Sequence, residues 1–212
     1  MTPEEIRNEK LAQKVIKGLK SRHFEAWYCP TKEEAKKQIL SLIKKDDIIG
    51  WGGSATLTQI GVMDEIKNGS YPNIIDRDKA ATPEEKIKMF RQSLLSDTFL
   101  TGTNAITEDG ELLNIDGNGN RVAAIAYGPT QVIVACGMNK VVPDLHAAYT
   151  RARNIAAPIN SQRFEINTPC KITGSCADCK SPDSICNVFV HTRQSRPQGR
   201  IKVILIGENL GF

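Results

Sequence analysis

The sequence predicts an α/β fold in which a mainly parallel sheet is flanked by helices and carries an attached antiparallel hairpin. Three observations support this prediction. Helix-start signals recur along the chain, apolar runs of strand length lie between the helical stretches, and an Asp-Gly pair separates two further apolar runs. Helices that alternate with strands are typical of parallel sheets, in which each helix covers a face of the sheet.

Three helix starts share one pattern. Thr2, Thr31 and Thr82 each have a glutamate three residues later, which is the capping-box arrangement of an N-cap hydroxyl and an N3 carboxylate. The first and third also place proline at N1, where its missing N–H is not needed. Apolar residues then recur at spacings of three and four. A fourth helix is expected from about Pro143 to Ala156.

Six apolar runs are predicted to be strands. They are Phe24–Cys29, Asp47–Trp51, Ile74–Asp76, Thr98–Thr101, Gln131–Ala135 and Ile201–Ile206. The last run is almost continuously apolar, so it should lie inside the sheet or be well covered. Asp109-Gly110 is a two-residue hairpin signal, and it joins the apolar stretches 105–107 and 112–115.

Composition and charge exclude several functional classes. The 212 residues carry 28 Lys and Arg against 24 Asp and Glu, for a net charge of +4, and no long basic block suggests nucleic-acid binding. No apolar run approaches the ~20 residues of a membrane helix, and the polar, acidic start lacks the features of a secretory signal. We therefore expect one cytoplasmic domain spanning residues 1–212, without nucleic-acid or membrane partners.

A glycine-rich loop is the first candidate binding site. In open α/β sheets, ligands bind beyond the carboxyl ends of the strands. The second predicted strand is followed by Gly52-Gly53-Ser54-Ala55-Thr56 and a predicted helix. Such a turn aims backbone N–H groups at an anion, and hydroxyls at Ser54 and Thr56 add donors. The alternative is a tight turn in which Ser54 only caps the helix.

Polar residues follow other predicted strands and would complete an anion site. The candidates for contact with a small anionic metabolite are Gly53, Ser54, Thr56, Asn104, Asn120, Arg121 and Lys140. Arginine can grip a carboxylate or phosphate with two parallel hydrogen bonds. Asp116 is a candidate general base if its surroundings tune its pKa. The alternative is that residues 116–121 form an ordinary turn and that Lys140 is simply solvated.

The six cysteines divide into two groups. Cys29 and Cys136 each end an apolar run and are expected to be small buried hydrophobes. The other four lie within the loop-rich segment 159–197, which also contains a short strand candidate at Asn187–His191. They are Cys170, Cys176, Cys179 and Cys186, with five, two and six residues between them. Four cysteines, two of them separated by only two residues in a tight turn, indicate a metal site in a reducing compartment. The spread outer ligands favour a 4Fe–4S cluster, with zinc or no metal as the alternatives.

Several motifs together resemble the LUD-domain family, which includes lactate utilisation protein C. They are the Gly52–Thr56 loop, Thr103–Gly110, Asp116–Val122 and Gly137–Lys140, in that order, followed by the cysteine segment Pro169–Cys186. The resemblance covers nearly the whole chain and suggests a cysteine-bearing member of the family.

The resemblance implies a fold similar to the sugar-phosphate isomerase and CoA-transferase superfamily. For some members it also implies a role in L-lactate oxidation beside iron–sulfur partner proteins. The residues 53–56 look like the phosphate loop of ribose-phosphate isomerases. Glu108 and Glu111 are the nearest candidates by position for the CoA-transferase glutamate, so Glu108 joins Asp116 as a catalytic candidate.

Two main hypotheses about function follow. In the first, the protein holds an iron–sulfur cluster through its four clustered cysteines and acts with partner subunits in organic-acid oxidation. In the second, it is an isomerase- or transferase-type enzyme that binds an anionic substrate, with a structural metal only. A third possibility is a scaffold protein in which the metal only stabilises the C-terminal segment. The sequence leaves the oligomeric state open.

Overall fold

The computed structural model describes residues 1–212. Its α-helices are α1 (Pro3–Ser21), α2 (Lys32–Ser41), α3 (Ala55–Gln59), α4 (Val62–Glu65), α5 (Pro83–Gln92), α6 (Asn120–Ala126), α7 (Leu145–Arg151), α8 (Ala157–Ser161) and α9 (Pro169–Thr173). Its strands are β1 (Glu25–Cys29), β2 (Ile49–Trp51), β3 (Thr98–Gly102), β4 (Ala105–Thr107), β5 (Leu112–Asp116), β6 (Gln131–Gly137), β7 (Val141–Val142), β8 (Val188–Thr192) and β9 (Ile201–Ile206).

Five strands form the main sheet in the order β1-β9-β6-β3-β2, and all four pairings are parallel. Alternate residues of each strand enter two separate apolar cores. Val203 of β9 packs with Val15 of α1, whereas Ile204 packs on the other face with Ile39 of α2. The predicted parallel sheet flanked by helices is confirmed, and β9 is an interior strand as its apolar run indicated.

A second sheet of four strands lies beside the first, in the order β7-β4-β5-β8. The predicted hairpin is present: β4 and β5 are antiparallel, with Ala105 opposite Leu113 and Ile106 opposite Leu112. β8 pairs antiparallel with β5 over five residue pairs. The loop-rich cysteine segment is therefore tied to the hairpin through its own strand, β8.

The three helix-start predictions are also confirmed. The hydroxyls of Thr2, Thr31 and Thr82 each accept a hydrogen bond from the backbone N–H three residues later. The reciprocal bond of a complete capping box is present at Thr2, where the N–H donates to the Glu5 carboxylate. None of the helices combines the length and apolar character needed to cross a bilayer.

Two elements differ from prediction. The run Ile74–Asp76 makes a single parallel bridge, between Ile74 and Ile49, because the chain turns at once into the 3-10 turn Arg77–Lys79. The fourth helix starts at Leu145, with Asp144 as its cap, and continues through a π-helical stretch to Ser161. The π-helical stretch ends two residues before Pro158, which has no N–H to continue the α-helical pattern.

The hairpin turn makes a close backbone approach to α1. Gly110 has a φ of +84°, and a Cβ there would lie 2.4 Å from the backbone nitrogen of Leu19. On the facing helix, a Cβ at Gly18 would lie 2.6 Å from the carbonyl carbon of Asp109. The two glycines therefore set how closely the second sheet and α1 can pack.

We expect Gly110→Ala to destabilise the fold strongly. The left-handed backbone costs alanine about 1–2 kcal/mol, and overpacking adds about 1–3 kcal/mol. The matched control is Gly69→Ala, because Gly69 also has a positive φ of +97° but has no atom within 4 Å of its Cβ position. Urea unfolding of both variants measures the difference, and equal losses for the two would contradict the steric argument.

Candidate functional site

The carboxyl edge of the main sheet gathers most of the predicted site residues. The β2 strand runs into the Gly52–Thr56 loop, β3 into Asn104, and β6 into Lys140. Arg121, from α6 after the hairpin, reaches across to the end of β3. Parallel strands bring their carboxyl ends to one edge, so residues distant in sequence meet there.

Arg121 is buried and fully hydrogen-bonded within the protein. Its five donor bonds go to Asp116 Oδ1 (2.8 Å), Gly102 O (3.1 Å), Asn114 Oδ1 (2.6 Å), Asn104 Oδ1 (3.0 Å) and Ile115 O (2.9 Å). A guanidinium has five N–H donors, so none remains for a substrate. The predicted role of Arg121 in gripping an anion stays untested, and its geometry shows a structural tie between the two sheets.

Asp116 also has hydrogen-bond partners within the protein. One of its oxygens accepts from Arg121, and the other accepts from the Val122 N–H at 3.0 Å. The stem of Arg121 passes over Gly52, where a Cβ would lie 2.6 Å from Arg121 Cγ. Beside them, Asn114 Nδ2 is buried without a hydrogen-bond partner. Each oxygen of Asp116 therefore already accepts one hydrogen bond within the protein.

The Gly52–Thr56 loop has unused donors. The hydroxyl of Ser54 accepts from the Leu57 N–H at 3.3 Å, so Ser54 caps α3, as the alternative of a tight turn predicts. Its own O–H and the backbone N–H groups of residues 53–56 donate to no protein acceptor. The loop thus has several donors without a protein acceptor, and Gly53 at its start is exposed.

Lys140 is a buried cation whose charge is not balanced by a nearby carboxylate. It is 4% exposed, its Nζ donates to Thr56 Oγ1 at 3.0 Å, and no carboxylate lies within ion-pair distance. Burial, the largest influence, lowers the pKa of Lys140 to about 8; the Cys136 thiol opposes this shift, and Arg151 and Arg121 add to it. The structure excludes the alternative of a solvated lysine.

Two more arginines belong to this region and were missed in the sequence. Arg151 is buried and donates to the carbonyls of Asn139 and Asn104, with no carboxylate partner. Arg77 stacks on Phe90, with its guanidinium carbon 5.4 Å from the ring centroid, and its side chain makes no hydrogen bond in the protein. Its Nη2 lies 3.6 Å from the Cβ position of Gly53.

We call Arg77, Arg121, Lys140 and Arg151 the cation cluster. Their charges influence one another, since Arg121 affects both Arg77 and Lys140, and Arg151 affects Lys140. Asp116 is the one carboxylate that pairs with any of them within 4.0 Å. The sheet edge consequently carries an excess of positive charge.

The remaining candidates lie outside this cluster. Glu108 sits at the hairpin turn, where it pairs with Lys14 of α1, and Glu111 pairs with Arg22 and His191. Asn120 is the first residue of α6, and its side chain makes no hydrogen bond to the cluster. The structure places neither Glu108 nor Glu111 beside the cation cluster.

The segment 207–212 covers the inner part of the cluster. Leu210 is buried, its carbonyl accepts from Thr56 Oγ1 at 3.4 Å, and its N–H donates to Asn139 Oδ1 at 3.1 Å. A Cβ at Gly211 would lie 2.9 Å from Lys140 Nζ. This segment therefore separates Lys140 from solvent.

The four clustered cysteines are all partly buried. Burial, followed by the thiols of Cys170, Cys176 and Cys179, raises the pKa of Cys186 to about 11. Arg153 reaches Cys176 Sγ at 3.8 Å and pairs with Asp178 at 2.6 Å. The thiols are close enough to affect one another, but no three His, Cys, Asp or Glu side chains are grouped tightly enough to hold one metal ion.

The other two cysteines are buried, as expected. Cys29 is the last residue of β1, and Cys136 lies near the end of β6. Burial raises the pKa of each thiol to about 11. Both are poor nucleophiles at neutral pH, because the thiolate is the reactive form.

We expect Arg121→Met to cost about 3–5 kcal/mol of unfolding free energy, because it leaves the buried Asp116 carboxylate unpaired. Lys36→Met is the matched control, since Lys36 pairs with Glu65 at 3.3 Å with both side chains about one-third exposed, and such pairs contribute about 0–1 kcal/mol. Guanidinium unfolding of the two variants measures both costs. A small loss at Arg121 would contradict its role as the tie between the sheets.

Comparison with known proteins supports the architecture. A crystal structure of a DUF162 family protein from Deinococcus radiodurans matches with a TM-score of 0.55 and 11% sequence identity, covering 94% of this chain and 98% of that chain. At this identity the likeness concerns the fold alone. No curated protein matches the chain in sequence.

A family match settles the relationship that the motifs suggested. The LUD domain matches residues 12–206, which include both sheets, the cation cluster and the cysteine segment. The chain therefore belongs to the LUD-domain family.

Proposed function

We propose that this protein, from a family linked to lactate utilisation in general, binds a small carboxylate metabolite at the carboxyl edge of its main sheet. The observation that carries the proposal is the cation cluster, in which Asp116 is the one close carboxylate partner. Removing an ion from water costs several kcal/mol unless an opposite charge or hydrogen bonds compensate. A bound anion would supply that compensation.

The exposed side of the cluster offers the contacts. Arg77 has its side-chain donors free beside Gly53, and the Ser54 hydroxyl and the N–H groups of residues 53–56 are unpaired within the protein. A guanidinium and a row of N–H groups suit the two oxygens of a carboxylate. Arg77, stacked on Phe90, is thus the primary anion contact, whereas Arg121 supports the loop from behind.

We expect Arg77→Met to weaken binding of L-lactate or pyruvate by roughly tenfold to a hundredfold, because a hydrogen bond to a charged group contributes about 1.5–3 kcal/mol. Methionine keeps an unbranched stem against Phe90. Arg91→Met is the control, because Arg91 lies on α5 and is exposed. Titration calorimetry measures the affinities, and unchanged binding in Arg77→Met would refute this contact.

We also propose that Cys170, Cys176, Cys179 and Cys186 hold a 4Fe–4S cluster, with zinc as the alternative. The supporting observation is that these thiols share one loop-rich segment and that Cys186 is influenced by the other three. Soft thiolate ligands suit iron–sulfur clusters or zinc. Because no three of them are grouped at ligand spacing, the loop would have to tighten around the metal.

Hydrogen bonds already anchor one end of this segment. Gln162 Nε2 donates to the Cys170 carbonyl at 3.2 Å, and Lys171 Nζ donates to the Gln162 carbonyl at 2.9 Å. Residues 174–186 contain short turns and no regular element. On this proposal, a cluster held there would transfer electrons beside iron–sulfur partner subunits in L-lactate oxidation.

Anaerobically prepared protein should contain iron and acid-labile sulfide, and Cys179→Ser should lose both. Cys29→Ala is the control, because Cys29 is buried at the end of β1 away from the segment. Metal and sulfide analysis provides the measurement. Stoichiometric zinc without iron, or iron that persists in Cys179→Ser, is the outcome that would overturn the cluster.

A further inference from the structure

Arg77 has a second arginine as a neighbour. Arg163 follows α8, and its guanidinium carbon lies 5.8 Å from the ring centroid of Phe164 and 5.9 Å from that of Phe212. One of its N–H groups donates to Asn160 Oδ1 at 3.3 Å, which is the only hydrogen bond of this side chain within the protein. A guanidinium has five N–H donors, so most of the donors of Arg163 are free.

Both arginines are connected with the glycine-rich loop. Arg77 Nη2 lies 3.6 Å from the Cβ position of Gly53. Phe212, one of the two rings under the second arginine, follows Gly211, whose Cβ position lies 2.5 Å from Thr56 Oγ1. One guanidinium is therefore held next to the start of the loop, and the other is held through the segment that covers its last residue.

The charges of the two arginines act on each other and have no carboxylate partner. Burial, the largest influence, lowers the pKa of Arg77, and the carboxylates of Asp78 and Asp116 oppose this shift, whereas the positive charge of Arg163 adds to it. Both carboxylates are already paired with other cations, at 2.6 Å for Asp78 and 2.8 Å for Asp116. Two neighbouring positive charges are thus left unbalanced at ion-pair distance.

We propose that the ligand of this site carries two anionic groups, and that Arg163 binds the second group while Arg77 binds the carboxylate. The inference rests on the proposed anion site and specifies which acids the site prefers. A mono-anion such as lactate balances one of the two charges. An acid with a second carboxylate or a phosphate balances both, because an arginine can bind either group through two parallel hydrogen bonds.

The surroundings of Arg163 suit it to select between such acids. It is exposed, so an acid reaches it without any movement of the chain. Stacking on aromatic rings restrains a guanidinium, and a restrained side chain loses less entropy when it binds a ligand. Arg77 is restrained in the same way, because its guanidinium carbon lies 5.4 Å from the ring centroid of Phe90.

Two pairs of acids test the second anionic group. L-malate is L-lactate with a carboxylate added to its methyl carbon, and 3-phosphoglycerate is glycerate with a phosphate on its terminal oxygen. Titration calorimetry of the full-length protein measures the four affinities at one ionic strength, because salt screens exposed charges. The wild-type protein should bind the acid with the extra group roughly tenfold to a hundredfold more tightly in at least one pair.

Three variants locate the preference. Arg163→Met keeps an unbranched stem against the two rings but removes the charge, so it should lose the preference and bind lactate as the wild type does. Arg91→Met removes the same charge from an exposed position of α5 and should keep the full preference. Arg77→Met should weaken binding of both members of each pair. Circular dichroism checks the folding of each variant.

The inference fails if the wild-type protein binds both members of each pair equally. It also fails if the preference survives in Arg163→Met, or if Arg91→Met loses as much of it, since the effect would then come from the net charge of the protein.

The same titrations separate this inference from the proposed function. If the acids bind equally within each pair and Arg77→Met weakens them all, the anion site stands and the second anionic group fails. If none of the acids binds, both fail. A preference that depends on Arg163, together with weaker binding of all acids in Arg77→Met, supports both, and the pair that shows it identifies the second group as a carboxylate or a phosphate.

Discussion

The buried guanidinium of Arg121 is the interaction on which the arrangement of the site depends. Its geometry is rigid, because the planar guanidinium directs its five N–H donors along fixed directions. Its acceptors come from the end of β3 in the main sheet, from Asn104 in the connection, and from β5 in the second sheet. Since a buried charge without partners is strongly destabilising, the two sheets are held in the one relative position that satisfies all five bonds.

The positive sheet edge follows from that position. Arg121 brings its charge under the Gly52–Thr56 loop, while Lys140 and Arg151 approach from β6 and α7. Backbone carbonyls and one hydroxyl accept hydrogen bonds from these cations. They offset only part of the free-energy cost of burying the charges, because these acceptors carry no net charge. Arg77 sits on the outer side, where its donors are free. The cluster thus comprises three buried cations and one, Arg77, whose donors are free.

Much of the fold could be predicted from local patterns in the sequence. Capping threonines, apolar runs and the Asp109-Gly110 turn each determine a short stretch, and the structure confirms them. The run at Ile74 is an exception, because a chain reversal at Arg77 leaves it only one bridge. Strand order and register depend on long-range contacts, which no local pattern reports.

The site was harder to predict in detail. The rule that ligands lie beyond strand ends directed attention to Arg121 and Lys140, which do lie at the carboxyl edge of the main sheet. It could not show that Arg121 has no free donor. Arg77 directly follows the predicted run 74–76, so the same rule applied there would have found it. Arg151 lies in the middle of a helical pattern, where nothing in the sequence distinguishes a buried arginine from an exposed one. The spacing of the cysteines along the sequence identified the group of four thiols. It could not give the distances between their sulfur atoms in the fold.

The five-bond tie between the sheets also governs how the molecule comes apart. β8 is joined to β5 along its whole length, and β5 supplies Asn114, Ile115 and Asp116 to the guanidinium. If either sheet melted alone, the other would keep an arginine or an aspartate buried without its partner. Partial unfolding at this junction is therefore the costly path, and the two sheets lose their structure in one cooperative transition. The chain offers no natural cutting point between Gly102 and Asp116 from which two stable fragments could be made.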